Sequence, residues 1–243
     1  MPFRSEFVIQ AIWLSSISPF SQQKAGYEIS NYSSIDPQYG SLSDFRDLLH
    51  VAHSNNIKVI MDMVLNHTSN QHPWFVESAS SKNNPKRDWY IWSDSPRGTS
   101  PNNWRSAFGG SAWEYHEATQ SHYLHSFFKE QPDLNWRNAE MRKEFFGEIE
   151  FWLEMGVDGF RLDVINMVGK DKKFRNNPPF YKLFSVNVRL FNRNRPRSYK
   201  IIRRLRKLID KYPERVLIGE IYTPPPGNSE LVASFLGDGE ESL

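Results

Sequence analysis

Gly156-Val157-Asp158-Gly159-Phe160-Arg161-Leu162-Asp163-Val164-Ile165 is the stretch that decides the fold. Gly156 follows a helical pattern and a short apolar run begins at Gly159, so the stretch predicts a helix followed by a buried strand. Arg161 and Asp163 are two positions apart, and the strand period of two points both side chains to one face. On these ten residues alone, a structural ion pair at a sheet edge and a functional site are both open interpretations.

Two further stretches have the same form. Val59-Ile60-Met61-Asp62-Met63-Val64-Leu65-Asn66-His67 is an apolar run that ends in polar groups, and Val216-Leu217-Ile218-Gly219-Glu220-Ile221-Tyr222 carries one acid near its end. Helical segments separate the three runs. They are predicted at Ser43 to Asn55, with Ser43 as the N-cap, and at Ala139 to Met155 and Ser198 to Lys211. Polar side chains at the carboxyl ends of successive strands are typical of an α/β barrel, where such positions line the active site.

Together these stretches resemble the α-amylase superfamily (glycoside hydrolase family 13), in its α-glucosidase and oligo-1,6-glucosidase branch. Asp62–His67 resembles the first family signature, Gly159–Asp163 the second and Gly219-Glu220 the third, while Gln131-Pro132-Asp133-Leu134-Asn135 is similar to the motif that marks the branch. The resemblance extends from about Ala11 to the C-terminus. It implies an α/β fold, a partial (β/α)8 TIM barrel with an irregular inserted subdomain after the third strand.

The resemblance also implies the domain organisation. Residues 1–67 are expected to form barrel strands two and three, residues 68–137 the inserted subdomain, and residues 138–243 strands four and five. The first βα unit is expected to be missing or degenerate, and strands six to eight to be absent. The five tryptophans of the insertion are expected to form its own core rather than to bind sugar. They are Trp74, Trp89, Trp92, Trp104 and Trp113.

Composition limits the remaining possibilities. The chain has 243 residues, 39% of them apolar, no cysteine and a net charge of +2, so nothing draws it towards nucleic acid or membrane and disulfides are excluded. No run reaches the roughly 18 apolar residues of a membrane span. Met1 to Gln10 lacks a signal-peptide core, which predicts a cytoplasmic protein unless a secretion signal lies in a missing N-terminus. The basic helix Ser198–Lys211 has an apolar stripe and is interpreted as a solvated barrel helix rather than a nucleic-acid patch.

Residue by residue, the resemblance makes Asp163 the catalytic nucleophile and Glu220 the general acid/base. Retaining cleavage of a glycoside needs two carboxyl groups about 5–5.5 Å apart, and adjacent parallel strands lie about 4.8 Å apart. Arg161 is expected to keep Asp163 ionised, while Glu220, less well paired, holds a proton.

The resemblance assigns further residues to substrate binding. His67 is expected to bind a hydroxyl of the cleaved sugar, and Tyr27 to stack on a sugar face. Val164, after the nucleophile, resembles enzymes that act on α-1,6 bonds. Asp62 and Asn66 are expected to be structural, orienting Arg161 and the following loop.

Two departures from the family pattern leave the function open. Lys24 stands where the family has an Asp, and no His-Asp pair occurs after Arg161 to supply the third carboxylate. The first hypothesis is a retaining hydrolase of oligosaccharides or small α-glucosides, truncated and inactive alone. The second is a non-catalytic binding or transporter-accessory module. A glucosyl transferase shares the first half-reaction and is a third. No cofactor and no metal are expected.

Overall fold

The computed structural model describes residues 9–20, 26–178, 191–223 and 229–236. The strands, in chain order, are β1 (Ala11–Leu14), β2 (Lys58–Val64), β3 (Trp92–Ser93), β4 (Trp113–His116), β5 (Ser121–Leu124), β6 (Gly159–Asp163) and β7 (Val216–Gly219). The helices are α1 (Leu42–Ser54), α2 (Pro73–Ser80), α3 (Ala139–Met155), α4 (Pro196–Ile209) and α5 (Ser229–Leu236). No helix in the described ranges is long and apolar enough to span a membrane.

The main sheet is an arc of a parallel barrel. Its strand order is β1-β2-β6-β7 and every pairing is parallel. Each strand thus lies beside the next one of the sheet along the chain, with α1, α3 and α4 in the crossovers. A doubly wound sheet would reverse direction at a switch point, whereas this order progresses one way, as in a barrel. The predicted partial (β/α)8 barrel is confirmed.

The stretch around Gly156 folds as predicted. Helix α3 is capped by Asn138, whose side chain accepts the Met141 N–H at 2.9 Å, and it ends at Gly156 with φ of 111°. Glycine adopts this left-handed conformation without steric cost. At Gly159 the limit is space, because a Cβ would lie 2.3 Å from the Val216 carbonyl oxygen. The close approach of β6 to β7 therefore requires glycine.

Helix α1 begins earlier than the sequence predicts. Ser43 was the expected N-cap, but Ser41 caps the helix by accepting the Asp44 N–H, while the Asp44 carboxylate accepts the Ser41 N–H at 2.7 Å. This reciprocal capping box satisfies two backbone donors, whereas Ser43 already lies within the helix. The cap prediction was wrong by two residues.

The main core lies between the sheet and its helices. Phe45 of α1 packs edge-on against Trp152 of α3 at 5.3 Å between ring centroids. Helix α4 buries Ile201, Ile202 and Leu205 and leaves its basic side chains outward, which confirms its interpretation as a barrel helix. The floor of the functional site is thus the inner face of a sheet whose outer face is fully packed.

The insertion after β2 has regular structure of its own. Strands β3, β5 and β4 form a small antiparallel sheet in that order, with α2 preceding it. Trp104 and Trp113 are buried in a small cluster there, while Trp74 and Trp89 belong to the main core and Trp92 is half-buried against it. None of these tryptophans lines the site described below. The prediction of a separate core in the insertion is correct for Trp104 and Trp113 and wrong for the other three, which pack with the main core.

Candidate active site

Strand register brings three polar side chains of the inner face together. Asp62 of β2 lies opposite Arg161 of β6, and Asp163 lies two residues further along the same face. Arg161 Nη1 donates to Asp62 Oδ1 and to Asp163 Oδ1, both at 2.9 Å. The predicted juxtaposition of Arg161 and Asp163 is confirmed, and Asp62 binds Arg161 as expected of an orienting residue.

Glu220 completes this cluster from the end of β7. Its N–H donates to the Leu162 carbonyl at 2.9 Å and its carbonyl accepts the Ile165 N–H at 3.0 Å, which fixes it beside β6. Arg161 Nη2 pairs with Glu220 Oε2 at 2.6 Å. One guanidinium thus binds three carboxyl groups, and the acids at 163 and 220 face the same cavity.

The protonation of Asp163 differs from what the sequence led us to expect. Burial raises the pKa of the Asp163 carboxyl to about 7, and the Arg161 guanidinium opposes the shift while Glu220, which also hydrogen-bonds to Asp163, adds to it. Arg161 therefore does not hold Asp163 in its ionised form, because desolvation outweighs the ion pair. Glu220 is not poorly paired either. Both carboxyl groups lie beside the same cation.

His67 lies buried at the pocket wall. Its Nε2 is 3.1 Å from Gln131 Nε2 and its Nδ1 is 3.3 Å from Asn66 Nδ2. Burial lowers the pKa of His67 to about 4, so the imidazole is neutral near pH 7. A neutral imidazole both donates and accepts hydrogen bonds, as a sugar hydroxyl requires.

Asn66 belongs to a buried polar network that the sequence revealed only in part. Its Nδ2 donates to Asp133 Oδ1 at 2.9 Å, and its Oδ1 accepts from Lys170 Nζ at 2.9 Å. Lys170 Nζ is 3.0 Å from Asp133 Oδ2 and its side chain is almost fully buried. Asp133 stood in the branch motif, but no sequence signal marked Lys170, which reaches the network from a loop. The supporting role of Asn66 stays a prediction.

Two residues of the segment after β1, Tyr27 and Lys24, were singled out in the sequence. The Tyr27 hydroxyl donates to Asp62 Oδ2 at 3.0 Å, and its ring lines the cavity, with the Arg161 guanidinium carbon 6.0 Å from the ring centroid. Its position fits either a sugar contact or rim packing. Lys24 lies outside the described residues.

Val164 has a strained backbone directly after Asp163. Its φ of 38° and ψ of 51° are left-handed, which is an outlier for a β-branched residue. This conformation lets its N–H donate to Glu220 Oε2 at 3.2 Å while its side chain lines the cavity. Strain of this kind is concentrated at functional sites.

The cavity above these groups has a volume of about 370 Å³. Its opposite wall is aromatic: Phe108 is 63% exposed and stacks on Phe128 at 4.1 Å, and Phe127 packs at 5.2 Å from the His67 ring. This wall was not predicted from the sequence. Three phenylalanines in a loop-rich segment carry no periodic signal, and only the insertion's fold brings them opposite the carboxyl groups.

A parallel barrel arc with paired acids at the carboxyl ends of adjacent strands, under an aromatic wall, defines the chain as a glycosidase-type protein. The comparisons agree. The family described as "Alpha amylase, catalytic domain" matches residues 2–236. This chain therefore belongs to the α-amylase family, on the side of the α-glucosidases and oligo-1,6-glucosidases.

Individual relatives show how much of such a protein is present. A probable α-glucosidase of Rhizobium meliloti (strain 1021) is 40% identical over 95% of this chain and 44% of its own length. An oligo-1,6-glucosidase of Parageobacillus thermoglucosidasius is 41% identical over 93% of this chain and 41% of its own length. The crystal structure of the α-glucosyl transfer enzyme XgtA superposes with a TM-score of 0.89 at 41% identity, covering 96% of this chain and 45% of that one. The chain spans less than half the length of these relatives.

Proposed function

We propose that this chain carries the catalytic carboxyl pair of a retaining α-glucosidase that acts on short α-glucosides. The observation that supports this most is the meeting of Asp163 and Glu220 in one cavity, on adjacent strands and on one guanidinium. A barrel scaffold has no structural need for three acids around a single buried arginine, because such a cluster carries a large desolvation cost.

In the proposed mechanism Asp163 attacks the anomeric carbon while Glu220 protonates the leaving oxygen. Glu220 then removes a proton from water, which cleaves the glycosyl-enzyme ester at Asp163. The side chain of Asp163 is 11% exposed and that of Glu220 41% exposed, so the acid/base has the better access to water. Retaining enzymes hold their two carboxyl groups about 5–5.5 Å apart, a separation that adjacent parallel strands can supply.

Substrate contacts follow from the cavity walls. His67 is placed to bind a hydroxyl of the cleaved glucose, and the stacked pair Phe108 and Phe128 offers an apolar face for the second sugar. Val164 lines the same cavity directly after Asp163, where its side chain could exclude part of a second sugar and so favour α-1,6 bonds. The substrate is then an isomaltose-like disaccharide or short oligosaccharide.

Transfer to a sugar acceptor is a second candidate activity. The exposed aromatic pair would hold an acceptor as well as a leaving sugar, and the structural similarity to a glucosyl transfer enzyme supports this. Chromatography of the products formed at high maltose concentration distinguishes hydrolysis from transfer, since hydrolysis yields only glucose and transfer yields longer sugars.

The test is a trapping experiment with a matched variant. This chain, and a version extended to the length of its relatives, are incubated with 5-fluoro-α-glucosyl fluoride, and peptides are examined by mass spectrometry for a glucosyl adduct on Asp163. Turnover of 4-nitrophenyl α-glucoside and isomaltose is measured in parallel. Asp163→Asn is expected to lower kcat at least about 10³-fold, while Asp47→Asn, an exposed acid on α1, leaves it unchanged. Sugar binding without adduct or turnover in the extended protein would favour the binding-module hypothesis.

A further inference from the structure

We propose that a second cavity, on the outer side of the barrel, binds an oxyanion such as a phosphate group. This cavity, here called the basic pocket, has a volume of about 320 Å³ and shares no lining residue with the catalytic cavity. Its lining residues are Arg137, Lys170, Arg195, Pro196, Arg197 and Lys200. Lys170 contributes its carbonyl, since its ammonium group binds Asp133, so the cationic side chains of the pocket are the three arginines and Lys200.

Neighbouring groups hold two guanidinium groups of the basic pocket in place. Arg137 Nη2 donates to the Lys170 carbonyl at 2.7 Å, a neutral acceptor that fixes the guanidinium but leaves its charge. The Arg195 guanidinium is 3.7 Å from Asp171, whose carboxylate already binds Arg175 at 2.8 Å. Throughout the described residues, no carboxylate forms an ion pair with the side chain of Arg137, Arg197 or Lys200.

The positive charges in and around the basic pocket lie close to one another. Burial lowers the pKa of the Arg137 guanidinium, and the positive charges of Arg197 and Arg195 lower it further, while Asp171 opposes part of this shift. A neighbouring guanidinium, Arg142, is affected in the same way by burial and then by Arg204 and Arg197. Folding therefore costs electrostatic free energy here, and a bound anion would offset this cost.

The donor set specifies the class of ligand. Guanidinium groups present paired N–H donors that match two oxygens of a phosphate, whereas lysine contributes a point charge. The first turn of α4 adds to this, because it contains no acidic residue and Arg195 provides no capping side chain. An oxyanion with several oxygens, either free phosphate or the phosphate ester of a sugar, fits these donors better than a chloride ion.

The buried Lys170 connects the basic pocket to the catalytic side. Its carbonyl holds Arg137 at the pocket, and its ammonium group binds Asn66 and Asp133 beneath His67. Lys170 would therefore be the single residue between an anion in the basic pocket and the network that supports the sugar site. The proposal itself concerns binding and does not depend on the catalytic assignment.

Isothermal titration calorimetry with inorganic phosphate tests the proposal directly on the 243-residue chain. Phosphate is expected to bind with one-to-one stoichiometry, and Arg197→Gln or Lys200→Gln is expected to weaken binding about tenfold, the loss of one charge-assisted hydrogen bond. Both side chains are at least partly exposed, so folding is expected to persist and is checked by circular dichroism. Lys207→Gln, an exposed lysine near the other end of α4, is the charge-matched control and should leave the affinity unchanged.

Glucose 6-phosphate is titrated in a second arm to separate the two sources of phosphate. Tighter binding than that of inorganic phosphate would assign a sugar phosphate, and equal binding would assign the free ion. The proposal is overturned if phosphate does not bind, if chloride at equal ionic strength competes equally well, or if affinity is the same in Arg197→Gln, Lys200→Gln and Lys207→Gln. None of these readouts involves glucoside turnover, so its failure is distinct from failure of the proposed function.

Discussion

A single arginine sets the electrostatics of the site. Arg161 binds Asp62, Asp163 and Glu220 through two nitrogens, and its own pKa is raised by these acids. The planar fork of arginine allows this triple contact, which a lysine ammonium at the same place would not reproduce. The orientation of all three acids therefore depends on one side chain.

The raised pKa of Asp163 gives a prediction for stability. Its carboxyl titrates at about 7 in the folded chain and near 4 when unfolded, so the folded state binds more protons between these values. Stability then falls as pH rises from about 4 to 7. Asp163→Asn removes this loss, and we expect it to be more stable than the parent at pH 8, by on the order of 1–4 kcal/mol.

Urea unfolding monitored by fluorescence at pH 5 and at pH 8 measures this difference. The advantage of the variant should be smaller at pH 5, where Asp163 is still protonated in the folded parent and only part of the difference has developed, than at pH 8, where it is complete. The exposed Asp47→Asn substitution provides the reference slope. An unchanged pH dependence in Asp163→Asn would show that the buried carboxyl does not carry the effect.

Backbone strain at Val164 gives a second prediction. Alanine in the left-handed region costs roughly 1–2 kcal/mol, whereas glycine adopts it freely. We therefore expect Val164→Gly to be more stable than Val164→Ala by about 1 kcal/mol. Chemical denaturation of the two variants measures it.

Val168 supplies the matched pair, because it is also buried but has a right-handed backbone with φ of −65°. There the order should reverse, with Val168→Ala more stable than Val168→Gly. The same order at both positions would mean that Val164 is not strained.

The sequence allowed part of the site to be predicted at this scale. The period of two put Arg161 and Asp163 on one face without any structure. It could not show that Glu220 would reach the same guanidinium, because that depends on the register of β7. Nor could it show that desolvation would outweigh the attraction of Arg161 at Asp163, because burial is a property of the packed chain. The catalytic roles themselves stay predictions.

At the scale of elements, capping explains both successes and errors. Helix α3 has a clear stop in Gly156, and its bounds followed from the sequence. Helix α1 offered two serines, and only the reciprocal bond between Ser41 and Asp44 selects the first. The small sheet of the insertion was not predicted, because strands of two to four residues with inserted turns show no usable alternation.

Helix α2 has an unusual cap that makes it sensitive to acid. His72 Nδ1 accepts the Trp74 N–H at 3.1 Å, which requires an unprotonated ring nitrogen, and burial lowers the pKa of His72 to about 3. The unfolded chain takes up this proton near pH 6.5, so stability is lost as pH falls from there towards 3. We expect His72→Asn, which keeps an acceptor at the cap, to lose less stability between pH 7 and pH 4, by on the order of 2–3 kcal/mol.

Thermal unfolding at several pH values tests this, and only the slope with pH is compared, because the substitution also removes ring contacts with Tyr32 and Trp74. His50→Asn, an exposed histidine on α1, is the control. Equal slopes for parent, His72→Asn and His50→Asn would rule out the cap as the origin of acid sensitivity. His67 contributes to the remaining slope in the same direction.

At the scale of the whole molecule, the main sheet has two edges. Within the described residues β1 and β7 each pair on one side only, and residues facing away from the helices are exposed, among them Trp13 at 55% and Ile218 at 49%. Unpaired edges with exposed apolar side chains promote association between chains.

We therefore expect the chain to self-associate, with a sedimentation coefficient that rises with protein concentration. Trp13→Lys and Ile218→Lys should reduce this rise, since a charge at an edge disfavours pairing. Val51→Lys places the same charge on an equally exposed apolar position of α1 and should have no effect. A single monomeric boundary at all concentrations would contradict the prediction.

The cluster of three acids around Arg161 also determines which buffer components can occupy the catalytic cavity. The cluster sets three acidic side chains against one guanidinium in a partly desolvated recess, which favours the binding of cations. A protonated polyhydroxy amine such as Tris satisfies both the charge and the hydroxyl contacts, whereas a neutral polyol of the same size satisfies only the second. A cationic polyhydroxy buffer in a crystallisation drop or a kinetic assay is therefore expected to bind in the sugar cavity.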